Sequence, residues 1–369
     1  MKYCVFCGNK PASKNKEHVI PQWLIKKTGD PNRKALFVTD LSLAQGKQRS
    51  YAFDQFTFPA CEQCNNQYSA LEIRAQKILE RIEFSNNITG NDLSVFFDWL
   101  DKVRVGIWLG YNQLDRKILD VQPKFHISTR IGQHDRALII QKSDTDRKRL
   151  NIIGTNTVSF ADTPSAFGIV INNLYFTNIS YNHLLARRCG FPYPTNTQWE
   201  PEQRGIIGDL VKGTERITSP IIRRSMPANA AIFYQPMLGR KLNTIDDEYY
   251  NTEYVRLNCI DFEKGIGAIF ESTSRGIKKH LADDLISPSP KKLHSDLELF
   301  HETTIEAYSW QNWFHTLHPS LDLLDKEERK SWTQGAALVR QLNNKWINHT
   351  KLSLKKIRLQ KKTIKTARY

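Results

Sequence analysis

The chain has 369 residues, 40% hydrophobic and 25% charged, with a formal net charge of +15 at pH 7, which predicts a soluble, folded protein of two or three domains. No stretch approaches the ~20 continuous apolar residues of a membrane span, and six cysteines in so long a chain exclude a disulfide-built scaffold. The positive charge favours a polyanionic partner, nucleic acid first; a plain basic soluble protein is the bland alternative.

Met1-Lys2-Tyr3-Cys4 carries no charged-then-apolar signal pattern, so the expected location is cytoplasmic, where thiols stay reduced. Four cysteines form two Cys-x-x-Cys pairs, Cys4/Cys7 and Cys61/Cys64. Each pair can present two thiolates to one ion. Four thiolates in tetrahedral array suit Zn²⁺ and close its coordination sphere, so such a zinc is structural. Residues 1–70 are short apolar pieces and turn residues with few large apolar side chains, so the metal is expected to supply much of their folding energy. Cys189 and Cys259 lack cysteine neighbours and read as buried small hydrophobes.

Leu71, Ala75, Ile78, Leu79 and Ile82 predict a helix over 71–84. The polar run from Ser85 to Asn91 contains Gly90 and marks a boundary. Leu93, Phe96, Phe97, Leu100, Val103 and Ile107 predict a second helix over 92–111, its apolar face needing a partner. From 116 to 290 the chain turns to short β-prone runs: Ala137–Ile140, Ile152–Ile153, Phe167–Ile171, Tyr175–Ile179, Ala231–Tyr234, Tyr254–Leu257 and Gly267–Phe270. Short helical pieces lie between them, Arg204–Lys212 among these. Residues 296–350 are helix-prone and rich in aromatics, and residues 351–369 hold eight Lys/Arg and no acid. That tail reads equally as a basic helix gripping phosphates or as a frayed terminus. The expected class is α+β. The expected units are residues 1–85 around the cysteines, a helical connector at 86–115, an α+β recognition domain at 116–290 and a helical region with a basic tail at 291–369.

Between the cysteine pairs stands Glu17-His18-Val19-Ile20-Pro21, and Asn65-Asn66 follows Cys64 directly. The order Cys-x-x-Cys, acid-His-aliphatic-aliphatic-Pro, Cys-x-x-Cys-Asn resembles the HNH endonuclease superfamily. It is closest to members whose ββα-metal fold is stapled by a four-cysteine zinc. Cys61 to Glu72 also resembles the knuckle-to-helix segment of many bacterial HNH proteins. The resemblance covers residues 1 to about 85 and implies roles. His18 is the general base, which suits an imidazole titrating near neutrality. Glu17 and Asn65 hold a catalytic divalent ion, Mg²⁺ or Mn²⁺, through oxygen. Cys4, Cys7, Cys61 and Cys64 hold the structural Zn²⁺. The implied reaction cleaves a phosphodiester to a 5′-phosphate and a 3′-hydroxyl. Two departures stand out. Glu replaces the usual Asp at 17, and the middle Asn that many HNH proteins carry just before the second cysteine pair is absent from Phe56-Thr57-Phe58-Pro59-Ala60, as it is in the family's phage Holliday-junction-resolving members.

Asn66 is a substitute ligand or a helix cap. Glu72, two turns beyond Asn65, is a helper of the site or a solvated charge. Lys14, Lys16, Lys26 and Lys27, with Lys10, Arg33 and Lys34 nearby, and Lys355, Lys356 and Arg358 in the tail, are the candidate phosphate contacts. Trp23 reads as core, and His280, His315 and His318 as packing or surface histidines. Arg187-Arg188, ahead of the Gly190–Pro194 turn, is a weak phosphate contact. Three functions compete. The first is a nuclease cutting DNA in preference to RNA, in the antiviral-defence or mobile-element setting where large domains are fused to such modules. The second is a non-catalytic, zinc-dependent nucleic-acid-binding protein. The third is an assembly subunit that docks a protein partner or another copy of itself through its aromatic helices. None involves a membrane.

Overall fold

The computed structural model describes residues 3–12, 15–37, 49–53, 57–114, 126–189, 193–200, 205–211, 220–222, 224–237, 267–290, 292–315 and 326–366. They form a mixed α+β structure whose strand pairs are antiparallel with one exception.

Strand β1 (Lys16–His18) pairs with β4 (Thr57–Pro59), setting Glu17 opposite Phe58 and His18 opposite Thr57. Helix α1 (Gln22–Lys27) starts directly after Pro21. Strands β2 (Lys34–Phe37) and β3 (Arg49–Ala52) form a second ribbon. Helix α2 (Glu62–Glu83) follows Cys61. Glu62 in its first turn and Arg81 in its last both suit the helix dipole. Ala75, Ile78, Leu79 and Ile82 are its buried stripe, as their spacing predicts.

The short strand β5 (Ile88–Thr89) leads into helix α3 (Gly90–Leu114). The polar stretch at 85–91 is tied down at this point. The Gly90 N–H donates to Asp284 O at 3.1 Å and the Asn91 N–H to Ala282 O at 2.8 Å. A Cβ on Gly90 would stand 2.2 Å from the Leu281 carbonyl oxygen, so this approach requires glycine. Strand β15 (Leu285–Ile286) pairs with β5 and completes the junction. Leu93, Phe96, Phe97, Trp99, Leu100, Val103, Ile107 and Trp108 are all buried. A helix with this many buried apolar residues belongs inside a structure, and α3 is covered by α2 and by the main sheet together.

That sheet comprises β6 (Asp135–Ser143), β7 (Leu150–Ile153), β8 (Ala166–Ile171), β9 (Leu174–Tyr181), β12 (Ala231–Gln235), β13 (Ile269–Thr273) and β14 (Gly276–His280), in the order β14-β13-β12-β6-β9-β8-β7. Strand β16 (Leu293–His294) adds to the end of β6 in parallel. Leu138, Ile140, Ile169, Phe176 and Phe233 face the α3 side. Ala137, Ile139, Ile179, Ile232 and Phe270 pack with Trp310 and Phe314 of helix α6 (Asp296–Phe314). Strands covered on both faces read as near-continuous apolar runs, which is the pattern of β6, β8 and β9. Helix α7 (Lys326–Thr366) lies along α6 and buries Ala336, Asn343, Ile347, Thr350 and Leu354, a repeat of one helix face. The basic tail is thus a continuation of α7 through Thr366.

The remaining elements are a short 3-10 helix (Ile127–Thr129), helix α4 (Val158–Asp162), helix α5 (Ala186–Cys189), and a hairpin of β10 (Tyr193–Glu200) with β11 (Gly205–Val211). The hairpin corrects the helix expected at Arg204–Lys212. Gly205 and Gly208 weaken a helix there, and the partner strand that completes the β ladder is invisible to a local pattern. The run Tyr254–Leu257 and Cys259 lie outside the described residues. Cys189 is buried, and so is His280, whose Nε2 is 2.8 Å from Glu271 Oε2. No helix among the described residues is long and apolar enough to cross a membrane.

Candidate metal centre and the acid–histidine site beside it

The first cysteine pair sits in a tight knuckle. The Gly8 N–H donates to Cys4 O at 2.9 Å and the Cys4 N–H to Asn9 O at 2.8 Å, with Gly8 at φ +79°, where a side chain is strained. The second pair opens α2, with Cys61 as N-cap and Cys64 in the first turn. The pairing of β1 with β4 brings the knuckles together, and all four sulfurs lie within 4.8 Å of one another. The Sγ atoms of Cys7 and Cys61 are 3.7 Å apart. A zinc tetrahedron with bonds of about 2.3 Å has edges of about 3.8 Å, so the four thiols fit one zinc ion. The Cys61 N–H donates to Cys4 Sγ at 3.2 Å, a bond that favours thiolate.

The thiols respond to this crowding in different ways. Burial opposes ionisation of Cys4, but the backbone N–H groups of Cys61, Cys7 and Phe6 outweigh it and lower its pKa. Desolvation and then the neighbouring cysteines push Cys61 up to about 11. Desolvation followed by the charge on Cys4 pushes Cys64 to about 12. Thiols packed this closely resist ionising together unless a cation sits among them.

Beside this centre, β1 turns Glu17 inward and leaves His18 half-exposed. The Glu17 carboxylate meets the ammonium of Lys102, which donates to Glu17 Oε1 at 2.5 Å and also to Glu72 Oε1. Lys102 is 1% exposed and its Nζ stands 5.7 Å from the centre of the Phe6 ring. Burial raises the pKa of Glu72, and Glu17 adds to that rise, while Lys102 and then His18 oppose it. Two carboxylates therefore share one buried cation, with the histidine inside their field. The Gln22 amide lies 3.3 Å from His18 Nε2 and donates to it when that nitrogen carries no proton. Helix α3 is pressed against this strand: a Cβ on Gly106 would stand 2.8 Å from Val19 Cγ1.

The other expected residues scatter. Asn65 is half-buried in the first turn of α2, its N–H donating to Cys61 O at 2.9 Å. Asn66 is exposed on the same helix, and the N-cap is Cys61, so Asn66 does not cap it. Lys16 and Lys26 are exposed, Lys27 pairs with Glu83 at 2.7 Å, and Lys14 lies outside the described residues. Lys355 and Lys356 are exposed on α7, whereas Arg358 bonds Glu302 at 2.7 Å and pairs with Glu298 at 3.4 Å. Trp23 packs near Trp99, with ring centroids 5.8 Å apart. His315 Nε2 lies 2.6 Å from Ser159 Oγ, and His318 is outside the described residues. Arg188 donates to Pro220 O at 2.7 Å.

Among the described residues the four cysteines are the one cluster of His, Cys, Asp or Glu side chains close enough to share an ion. Glu17, expected with Asn65 to hold a divalent ion, is joined through Lys102 to Glu72, the expected helper of the site. Lys102 is the residue that motif reading missed. Its signal was present as a charge in the middle of an apolar helix, a place where an unpaired lysine is costly. The helix also carries Asp98, Asp101 and Arg104. Asp101 pairs with Arg104 at 2.7 Å and with Arg136 of β6 at 3.0 Å, and Asp98 pairs with Arg136 at 2.7 Å. One helix thus sends Lys102 into the acid–histidine site and its neighbours into the sheet. No protein-family model, curated protein or solved structure matches the chain.

Proposed function

We propose that this protein is a nuclease of the HNH type, cutting a phosphodiester of nucleic acid, DNA before RNA, with His18 as general base. The observation that carries this reading is the junction of β1 and β4. It sets the Glu17-His18 pair beside the four-thiol cluster and within the field of Glu72 on the helix that the cluster anchors. In the proposed reaction the imidazole nitrogen of His18, released by Gln22, takes a proton from water, the water oxygen attacks phosphorus, and the bond from phosphorus to the 3′-oxygen breaks, that oxygen leaving with a proton from solvent. Lys102, too buried to meet substrate, acts as a positioning residue that keeps both carboxylates oriented. Zinc at the four cysteines supplies rigidity alone.

A second reading, a zinc-dependent binding protein without catalysis, is favoured by one observation: the Glu17 carboxylate is already engaged by Lys102. The test incubates purified protein with plasmid DNA, single-stranded DNA and transfer RNA, with and without Mg²⁺ or Mn²⁺, alongside His18→Ala. Cutting by the parent protein alone supports the nuclease and names its substrate. Binding that survives in both proteins with no cutting in either supports the second reading. Equal cutting by both removes His18 from the mechanism.

A further inference from the structure

A groove separates the cysteine module from the helices α6 and α7, along the outer side of β7. One part, about 550 Å³, is bounded by the Thr28–Lys34 turn, Phe53 and the start of β7. A second part, about 380 Å³, continues it beneath α6 and α7. The two share Tyr111, Ile152, Thr155 and Phe300, so they form one continuous trough. Each part falls in the range of small-molecule sites, roughly 300–1,000 Å³. Strand β7 ends the sheet and pairs only with β8 among the described residues, so its outer backbone groups border the trough.

The charge of the walls is one-sided. The larger part is lined by Arg33, Lys34, Lys148 and Arg149 against a single carboxylate, Asp30, and the smaller has no carboxylate but holds His301 and His349. Two of the cations are fixed in place. Arg33 donates to Ile25 O at 3.1 Å and to Thr28 Oγ1 at 2.7 Å, and Arg149 pairs with Asp296 and donates to Asn172 O at 3.2 Å. Lys34 and Lys148 are exposed and have no partner among the described residues. Phe300 and Trp346 are half-exposed on the same walls. Exposed cations beside accessible aromatic rings match a ligand that carries both phosphate and base.

We infer that this trough binds a phosphate-bearing nucleotide, with Lys34 and Lys148 meeting its phosphate and Phe300 its base. The site is separate from His18 and does not require the nuclease reading. The same chemistry comes from an unpaired strand or from a free nucleotide, and the test separates them. Full-length His18→Ala protein, which leaves a strand uncut, is titrated with a labelled 12-nucleotide single strand by fluorescence anisotropy and with ATP and a dinucleotide by calorimetry. The comparison protein adds Lys34→Glu and Lys148→Glu, both at exposed positions, with its fold checked by circular dichroism. A charge-matched control adds Lys326→Glu and Lys330→Glu instead, at exposed positions given no role in binding. Strand binding at least tenfold weaker in the trough variant than in the control identifies a strand site. The slope of log affinity against log salt should then fall by about 1.4, two phosphates at about 0.7 each. Nucleotide binding lost only in the trough variant identifies a free-nucleotide site. Binding reduced equally in both variants, unchanged in the trough variant, or absent for every ligand overturns the assignment.

Discussion

The N-terminal module, residues 3–83, and the sheet body, residues 135–314, bury their apolar side chains in different ways. The body's sheet is covered on both faces: Leu138, Ile140 and Phe176 lie under α3, and Ala137, Ile139 and Ile179 under α6. The module has no second layer of its own. Its Val5, Phe6, Val19, Ile20, Leu24 and Phe58 join one cluster with α3, and its two knuckles meet through four sulfurs, the stacked rings of Phe6 and Tyr68 and a bond from the Val5 N–H to Pro59 O. A region that borrows its core is held by whatever locks it to the lender, here the thiol centre and the Lys102 bridge. A region with two packed layers tolerates the loss of any one such tie.

The largest test of this contrast removes the metal centre. Cys64→Ser, or a strong chelator, should unfold the module while the sheet persists. Structural zinc sites carry about 10–16 kcal/mol in isolated fingers. Amide exchange that rises over β1, β4 and α2 but not over β6 and β9 is the expected pattern, and uniform protection would show that the module stands on α3 alone. Zinc binding should also release protons near neutral pH, because Cys61 and Cys64 are pushed to about 11 and about 12 without the ion. Affinity therefore weakens as pH falls, and calorimetry in buffers of different ionisation enthalpy measures the proton count.

Lys102→Met comes next. It leaves the buried carboxylate of Glu17 and the half-buried one of Glu72 without their cation. Breaking a buried pair in this way typically costs about 3–5 kcal/mol. Urea unfolding should show a loss of that order, regained in part by adding Glu17→Gln. A loss under about 1 kcal/mol would mean that water already screens the pair. Gly106→Ala sets a methyl against Val19 and should cost about 1–3 kcal/mol. On the nuclease reading it would also lower cutting, by shifting the segment next to His18. The smallest effect belongs to Arg358→Ala. Its ion pairs with Glu298 and Glu302 are exposed, so thermal unfolding should show a stability loss of no more than about 1 kcal/mol.

Much of this arrangement was legible locally. The spacing of the two cysteine pairs predicted the thiol cluster, because a Cys-x-x-Cys turn presents two sulfurs whatever surrounds it. The stripes of α2 and α3 followed from helical period, and β6, β8 and β9 from their apolar runs. Periodicity showed only one face of α3, because it cannot say how many neighbours a helix has. The β11 strand was misread because its partner lies across a turn, and the pairing energy is shared between the two segments.

The residues around His18 mark the same division. Glu17, His18, Asn65 and the cysteines stand out in the sequence because they sit at short, fixed spacings. Lys102 reaches Glu17 across 85 positions, and the trough is walled by residues from the module, β7 and both terminal helices. Side-chain chemistry and local period are properties of neighbouring residues, so the sequence by itself determined which groups could bind zinc and which segments coil or extend. Which charges neutralise one another, and which surfaces face across a gap, depends on how distant segments share a core, and only the tertiary structure decided that.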